Sequence, residues 1–265
     1  MDFSRFFQFE DQTEQPLDKL AVNGGYCGVL RTVGCVGDSM SSGEFESIDE
    51  NGSRGYHDMF DYSWGQFIAR DCGCRVYNFS RGGMTAKEYM ESFAEANGFW
   101  DDDKVCKAYI LALGVNDIIN AHQPLGTLAD INPADWRKNN FETFAGCYAA
   151  IVQRLLEKQP KARFFFVTAP KNEHGSLMPE HTALLYQLTE IFPFSYVIDL
   201  DRYAPAHDEA FRRRFYMSGH MNPMGYRLTA LQVESYIDYI IRQHPDDFFQ
   251  LGFVGGGIHN VEYKW

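Results

Sequence analysis

The chain has 265 residues, 45% hydrophobic and 23% charged, with 22 Phe and 15 Tyr as bulky core material, so it can bury a sizeable core and is not compositionally disordered. Its 24 basic and 36 acidic residues leave a formal net charge of −12. That balance argues against nucleic acid and anionic membrane surfaces as partners, because both reward clustered Lys and Arg, and the densest basic run is only Arg212, Arg213 and Arg214.

The opening stretch mixes aromatics with acids and shows neither a basic start with an apolar stretch nor a small-residue cleavage site, so it predicts no secretory signal. No apolar window approaches the ~20 residues that span a bilayer, and no membrane anchor is expected. The six cysteines (Cys27, Cys35, Cys72, Cys74, Cys106 and Cys147) lie in or beside apolar segments without paired C-x-x-C spacing, which reads as reduced thiols of a cytoplasmic protein rather than a metal site. The Cys72-Gly73-Cys74 pair is the one local alternative, as a metal or strained-disulfide pair. The sequons at Asn51 and Asn78 have no weight without secretion.

From the N-terminus onward, short apolar runs alternate with helix-period segments, the pattern of a parallel sheet flanked by helices. Strands are predicted at 30–36, 75–78, 108–113, 163–167 and 196–200, and helices near 63–71, 85–96, 139–158 and 179–192. In the third of these helices Phe144, Cys147, Tyr148, Ile151 and Leu155 fall on one face. The last helix has Asn222 as a cap, Pro223 in its first turn, an apolar stripe of Leu228, Leu231, Ile237 and Ile241, and Pro245 as its stop. With no repeat or linker, one domain over 1–265 is expected, with extra segments at about 1–28 and 246–265. The tail carries Phe248, Phe249, Phe253 and Trp265 around Gly255, Gly256 and Gly257, and would pack on the domain or on a second subunit, making the terminal segments candidate homo-oligomer contacts.

Two segments, 40–62 and 118–140, fit no element and each follows a strand. Ligands of open α/β sheets bind at the carboxyl ends of the strands, so both are expected to border a pocket, with His57, Tyr62 and Trp136 as candidate substrate contacts.

Four blocks carry chemistry. The first strand runs into Gly37-Asp38-Ser39-Met40, placing a serine at the sheet's carboxyl edge beside backbone N–H donors. The second ends in Asn78-Phe79-Ser80-Arg81-Gly82-Gly83, where a glycine lets backbone approach a ligand. The third ends in Gly114-Val115-Asn116-Asp117, where an amide can point into the same cleft. His220 stands in Ser218-Gly219-His220-Met221-Asn222-Pro223, before the last helix. Each block alone also reads as an ordinary turn or cap.

Together they resemble the SGNH hydrolases, also called GDSL esterases and lipases, over 32–241. The resemblance implies a flavodoxin-like α/β/α sandwich with a mostly parallel five-stranded sheet, no cofactor or metal, and hydrolysis of esters or thioesters. Ser39 would be the nucleophile, His220 its general base, and Ser39, Gly83 and Asn116 the oxyanion hole. The absence of a G-x-S-x-G elbow separates the chain from ordinary α/β-hydrolases. A short acyl or carbohydrate O-acetyl ester is the expected small-molecule substrate, with a thioesterase, a lysophospholipase or a non-catalytic binding module as alternatives.

One departure stands out. The family places an Asp three residues before the histidine, and this chain has Met217 there. A main-chain carbonyl near Met217 is the first candidate to orient the imidazole, and Asp199 or Asp201 the second.

Overall fold

The computed structural model describes residues 13–248 and Leu251. Among these lie seven strands: β1 (Thr32–Gly37), β2 (Glu44–Ile48), β3 (Arg54–Asp58), β4 (Arg75–Ser80), β5 (Ala108–Ala112), β6 (Arg163–Val167) and β7 (Ser195–Ile198). The helices are α1 (Ser39–Ser42), α2 (Trp64–Cys72), α3 (Ala86–Glu88), α4 (Ala94–Ala96), α5 (Phe144–Lys158), α6 (Pro179–Ile191), α7 (Leu200–Tyr203), α8 (Glu209–Phe215), α9 (Pro223–Gln243) and α10 (Pro245–Phe248).

Five strands form one all-parallel sheet in the order β4-β1-β5-β6-β7, and β2 pairs with β3 in a separate antiparallel hairpin. Counting only the strands of the main sheet, this is the doubly wound order 2-1-3-4-5. Alternation along the strands feeds two cores. Tyr109 and Leu111 of β5 with Phe164 and Phe166 of β6 face α5 and α6, whereas Ile110, Phe165 and Val167 face α2 and α9. Both faces are therefore apolar, as a parallel sheet covered by helices on each side requires. Each fully buried Phe adds roughly 1.5–3 kcal/mol of transfer free energy. Gly34 keeps the centre of β1 thin, because a Cβ there would lie 2.7 Å from both Phe79 and Tyr109.

Strand one starts later than the apolar run suggests, since Leu30 ends a 3-10 turn, Gly25–Leu30, that packs on α9. Asn222 does cap α9, accepting from the Gly225 N–H at 3.0 Å, and Pro223 occupies its first turn. In the tail, Phe248 is buried against Tyr196 and Phe165; Phe249, Gly255, Gly256, Gly257, Phe253 and Trp265 lie outside the described residues, as do residues 1–12. The cysteines are unbridged. Among the described residues no helix is long and apolar enough to cross a membrane, and no grouping of His, Cys, Asp and Glu is arranged to hold a metal ion.

The segment 40–62 is a correction. It contains α1 and the β2–β3 hairpin, whose turn is pinned by Asp49 accepting from the Asn51 and Ser53 N–H groups at 2.8 Å. Polar residues on both faces of the hairpin leave no apolar alternation to read. The segment 118–140 is irregular, and Leu125, Leu128, Ile131 and Trp136 pack it onto the α5 side of the core.

Candidate active site

In this strand order the chain leaves β1 and β5 in opposite directions, opening a crevice at their carboxyl ends. Three blocks converge there. Asp38 follows β1 and caps α1, its Oδ1 accepting from the Met40 N–H at 3.0 Å. Ser39 is half-buried as the first residue of α1, so its N–H is one of the donors a helix leaves without an internal acceptor. Burial pushes the Asp38 carboxyl up to about 6, with the Met40 N–H and His220 pulling the other way.

Gly83 sits in the exposed turn between β4 and α3 at φ 73°, and nothing lies within 4 Å of where a Cβ would be. That conformation suits glycine and keeps the turn open to an approaching group. Asn116 belongs to a π-helical turn, Val115–Asn120, directly after β5. Its Nδ2 donates to Met84 O at 3.2 Å and to Asp38 Oδ2 at 3.4 Å, while its Oδ1 accepts from Asn120 Nδ2 at 2.7 Å. One amide thus ties together the ends of β1, β4 and β5. Asp117 is fully buried and accepts from the Ala86 N–H at 2.6 Å, anchoring the start of α3 beside the Gly83 turn.

His220 arrives from the far end of the chain, in a tight reversal closed by the Met217 N–H donating to His220 O at 2.8 Å. Its ring is held between two carboxylates: Nδ1 lies 2.8 Å from Glu46 Oε1 and Nε2 lies 3.1 Å from Glu44 Oε1. Tyr56 packs edge-on against the ring at 5.9 Å. No hydrogen bond joins Ser39 Oγ to His220, whose Nε2 is engaged by Glu44. The Glu46 side chain is 3% exposed and also accepts from the Gly219 N–H at 2.8 Å. Burial raises its proton affinity, but His220, Gly219 and Ser218 outweigh this and the carboxyl falls below its ordinary value. Burial raises that of Glu44, against the pull of His220.

Behind Asp38 and Gly219 a cavity of about 350 Å³ extends along the strand ends, walled by Met40, Trp64, Leu113, Val167, Met178 and Met221 among others.

The expected orienters of His220 are corrected. Met217 contributes its N–H to the reversal, and the ring's Nδ1 bonds Glu46 instead of a carbonyl. Asp199 caps α7 and accepts from Tyr186 Oη at 2.8 Å and Thr168 Oγ1 at 3.3 Å; it follows β7, the sheet edge far from β1. Asp201 N–H donates to Thr168 Oγ1, and its carboxylate is not bonded to His220.

Of the substrate-contact candidates, His57 bonds Ser47 Oγ at 2.8 Å and pairs with Phe45, on the hairpin face opposite the one Glu44 and Glu46 share. Tyr62 packs edge-on against Phe45, on that same opposite side. Trp136 donates to Glu157 Oε1 at 3.0 Å and stacks beneath Arg137, as a surface anchor of α5. From 118–140 only Asn120 touches the site, and none of that segment lines the cavity. Glu44, Glu46 and Tyr56 were not legible as site residues, although a Glu-x-Glu spacing soon after Ser39 marks two carboxylates on one strand face.

The model of the GDSL-like lipase/acylhydrolase family matches residues 35–228. No curated protein matches the chain. Among solved structures, a protein from Lactobacillus plantarum is similar at 19% identity and TM-score 0.57, over 79% of this chain and 97% of that one. A family two carbohydrate esterase from Clostridium thermocellum, in complex with cellohexaose, is similar at 15% identity and TM-score 0.56, over 80% of this chain and 64% of that one. A Bacteroides uniformis protein assigned to the GDSL-like lipases aligns at 17% identity and TM-score 0.53, over 77% and 93%. These likenesses bear on the fold, which is the three-layer α/β/α sandwich of SGNH hydrolases. Because the family model covers residues 35–228, most of the chain, the chain belongs to the GDSL-like lipase/acylhydrolase family and is a hydrolase.

Proposed function

We propose that the protein is a serine esterase that removes a small acyl group, such as acetyl, from a carbohydrate, with Ser39 as nucleophile and His220 as general base. The observation that carries this reading is the Asn116 amide lying between Asp38 and Met84, since it draws the ends of β1, β4 and β5 into one crevice beside Ser39. His220 Nε2 takes the Ser39 Oγ proton as Oγ bonds the acyl carbon. The oxyanion is met by the N–H groups of Ser39 and Gly83 and by Asn116 Nδ2, whose long 3.4 Å contact to Asp38 Oδ2 gives way to it. Nε2 then returns that proton to the departing alkoxide, leaving an acyl-serine. Water attacks the acyl carbon, gives its proton to Nε2, and release of the acid returns the proton to Ser39.

The carbohydrate part rests on the Clostridium thermocellum neighbour, a carbohydrate esterase. The cavity behind Asp38 suits the acyl side, being largely apolar. The test is a panel of aryl esters of rising acyl length and acetylated oligosaccharides, with fluorophosphonate labelling. Ser39→Ala should stay folded and lose both turnover and label; turnover at the wild-type rate in Ser39→Ala would refute the assignment.

A further inference from the structure

We infer that Glu46, carried on the β2–β3 hairpin, is the positioning carboxylate of His220, taking the place of the acid absent at position 217. This rests on the reading of Ser39 and His220 as nucleophile and base. Three observations carry it. Glu46 Oε1 lies 2.8 Å from Nδ1, within the range of a charge-assisted hydrogen bond. The same oxygen accepts from the Gly219 N–H at 2.8 Å, so the carboxylate is fixed relative to the residue next to the imidazole. And its side chain is 3% exposed, which removes the solvent competition that weakens surface pairs.

The two ring nitrogens have different tasks. Glu44 Oε1 is on Nε2, and Glu44 Oε2 fills the space that a Cβ on Gly82 would take, so Nε2 faces the Gly82-Gly83 turn and the oxyanion side. Nδ1 faces away, into the Ser218-Gly219 reversal, where Glu46 waits. During attack the proton of Ser39 Oγ reaches Nε2 while the Nδ1 proton stays on the ring and is donated to Glu46. Glu46 thereby fixes the tautomer with the proton on Nδ1, so that Nε2 can accept once Ser39 Oγ replaces Glu44 Oε1 beside it, and Glu46 faces the positive charge as it forms. Other charged or titratable groups around the ring are Glu44 on β2, Asp38 after β1, Tyr56 and Asp58 on β3, and Arg54, whose Nη1 lies 3.5 Å from Glu46 Oε2.

Glu46→Gln separates charge from shape, because an amide oxygen at the Oε1 position can still accept from Gly219 and from Nδ1–H. With an aryl acetate, kcat is expected to fall on the order of 10²- to 10⁴-fold, with KM changed only a few-fold. Glu46→Asp keeps the charge on a shorter arm and is expected to retain more activity than Glu46→Gln. Circular dichroism establishes folding of each variant. Wild-type kcat in Glu46→Gln overturns the proposal, as does a folded Glu46→Asp no more active than Glu46→Gln. Loss of the Ser39→Ala effect would instead fell the underlying esterase reading, so the two failures are distinguishable.

Discussion

Asp117 offers a direct measurement of how the Gly-Val-Asn-Asp block is built. Its carboxyl is fully buried, one oxygen accepts from the Ala86 N–H at 2.6 Å, and the other has no partner among the described residues. Burial, reinforced by the charge of Asp38, pushes it up to about 6, with the Ala86 N–H pulling the other way. An acid whose folded value lies above its unfolded one binds more protons in the native state, so stability falls as pH rises through that interval. From 3.8 to about 6, at 1.36 kcal/mol per pH unit, the full penalty is ~3 kcal/mol, reached above about pH 6 and absent well below 3.8. Between pH 4.5 and 8 the part still to be lost is ~2 kcal/mol, because the unfolded chain is already mostly ionised at 4.5. Asp117→Asn keeps an acceptor for Ala86 and removes the titration. Whatever its offset from packing, its melting temperature relative to wild type should therefore rise between pH 4.5 and pH 8, by roughly 4–8 °C. Asp38 titrates in the same interval in both proteins, and its repulsion of the Asp117 charge is already contained in the Asp117 shift. Thermal melts of both proteins at the two pH values suffice. A wild-type-to-variant gap that is constant with pH would refute the reasoning, since it would mean that Asp117 has the same proton affinity in the folded chain as in the unfolded one.

Asn116→Ala removes the proposed oxyanion donor and should lower kcat by roughly 10²- to 10³-fold. A change confined to KM would make Asn116 a binding residue, and Asn120→Ala, which only removes the donor to Asn116 Oδ1, should cost much less. Glu44→Gln should keep kcat within a few-fold of wild type, without the loss of Glu46→Gln, because Glu44 contacts Nε2, the nitrogen that must be vacated for the Ser39 proton, and not Nδ1. A tenfold or larger fall in kcat at the optimum would instead place Glu44 in the chemistry.

The main sheet was legible because its strands are short and mostly apolar, as in Phe164, Phe165, Phe166 and Val167 of β6, and lie between helix-period segments. The cap of α9 was equally plain, since Asn222 and Pro223 act within one turn of the residues they serve. The hairpin was not. Glu44, Glu46, Arg54 and Asp58 share one face with Ile48 and Tyr56, and Ser47, Gly55 and His57 share the other with Phe45, so apolar and polar residues are mixed on both faces and no half-buried strand pattern emerges. The cavity was placed correctly at the strand ends, but its walls come from Met40, β5, β6, the start of α6 and the His220 reversal, while 118–140 spends its apolar side chains on the core.

The same locality explains why Ser39 and Asn116 could be marked by their blocks while Glu46 could not. A nucleophile and an oxyanion donor must stand directly after particular strands, so their positions are bound to short sequence contexts. The acid behind a histidine has no such tie: it needs only to bring an oxygen within hydrogen-bonding distance of Nδ1, from any direction the fold leaves open. When the reversal before His220 carries Met217, the space beside the ring can be filled from elsewhere, and the hairpin that follows α1 passes close by because it must return from Ser39 to Trp64 at the same end of the sheet. Glu46 and His220 are 174 residues apart in the chain, a separation no spacing rule spans. A missing residue in a motif is therefore weak evidence for lost turnover until the space around the histidine has been searched for a carboxylate arriving by another route.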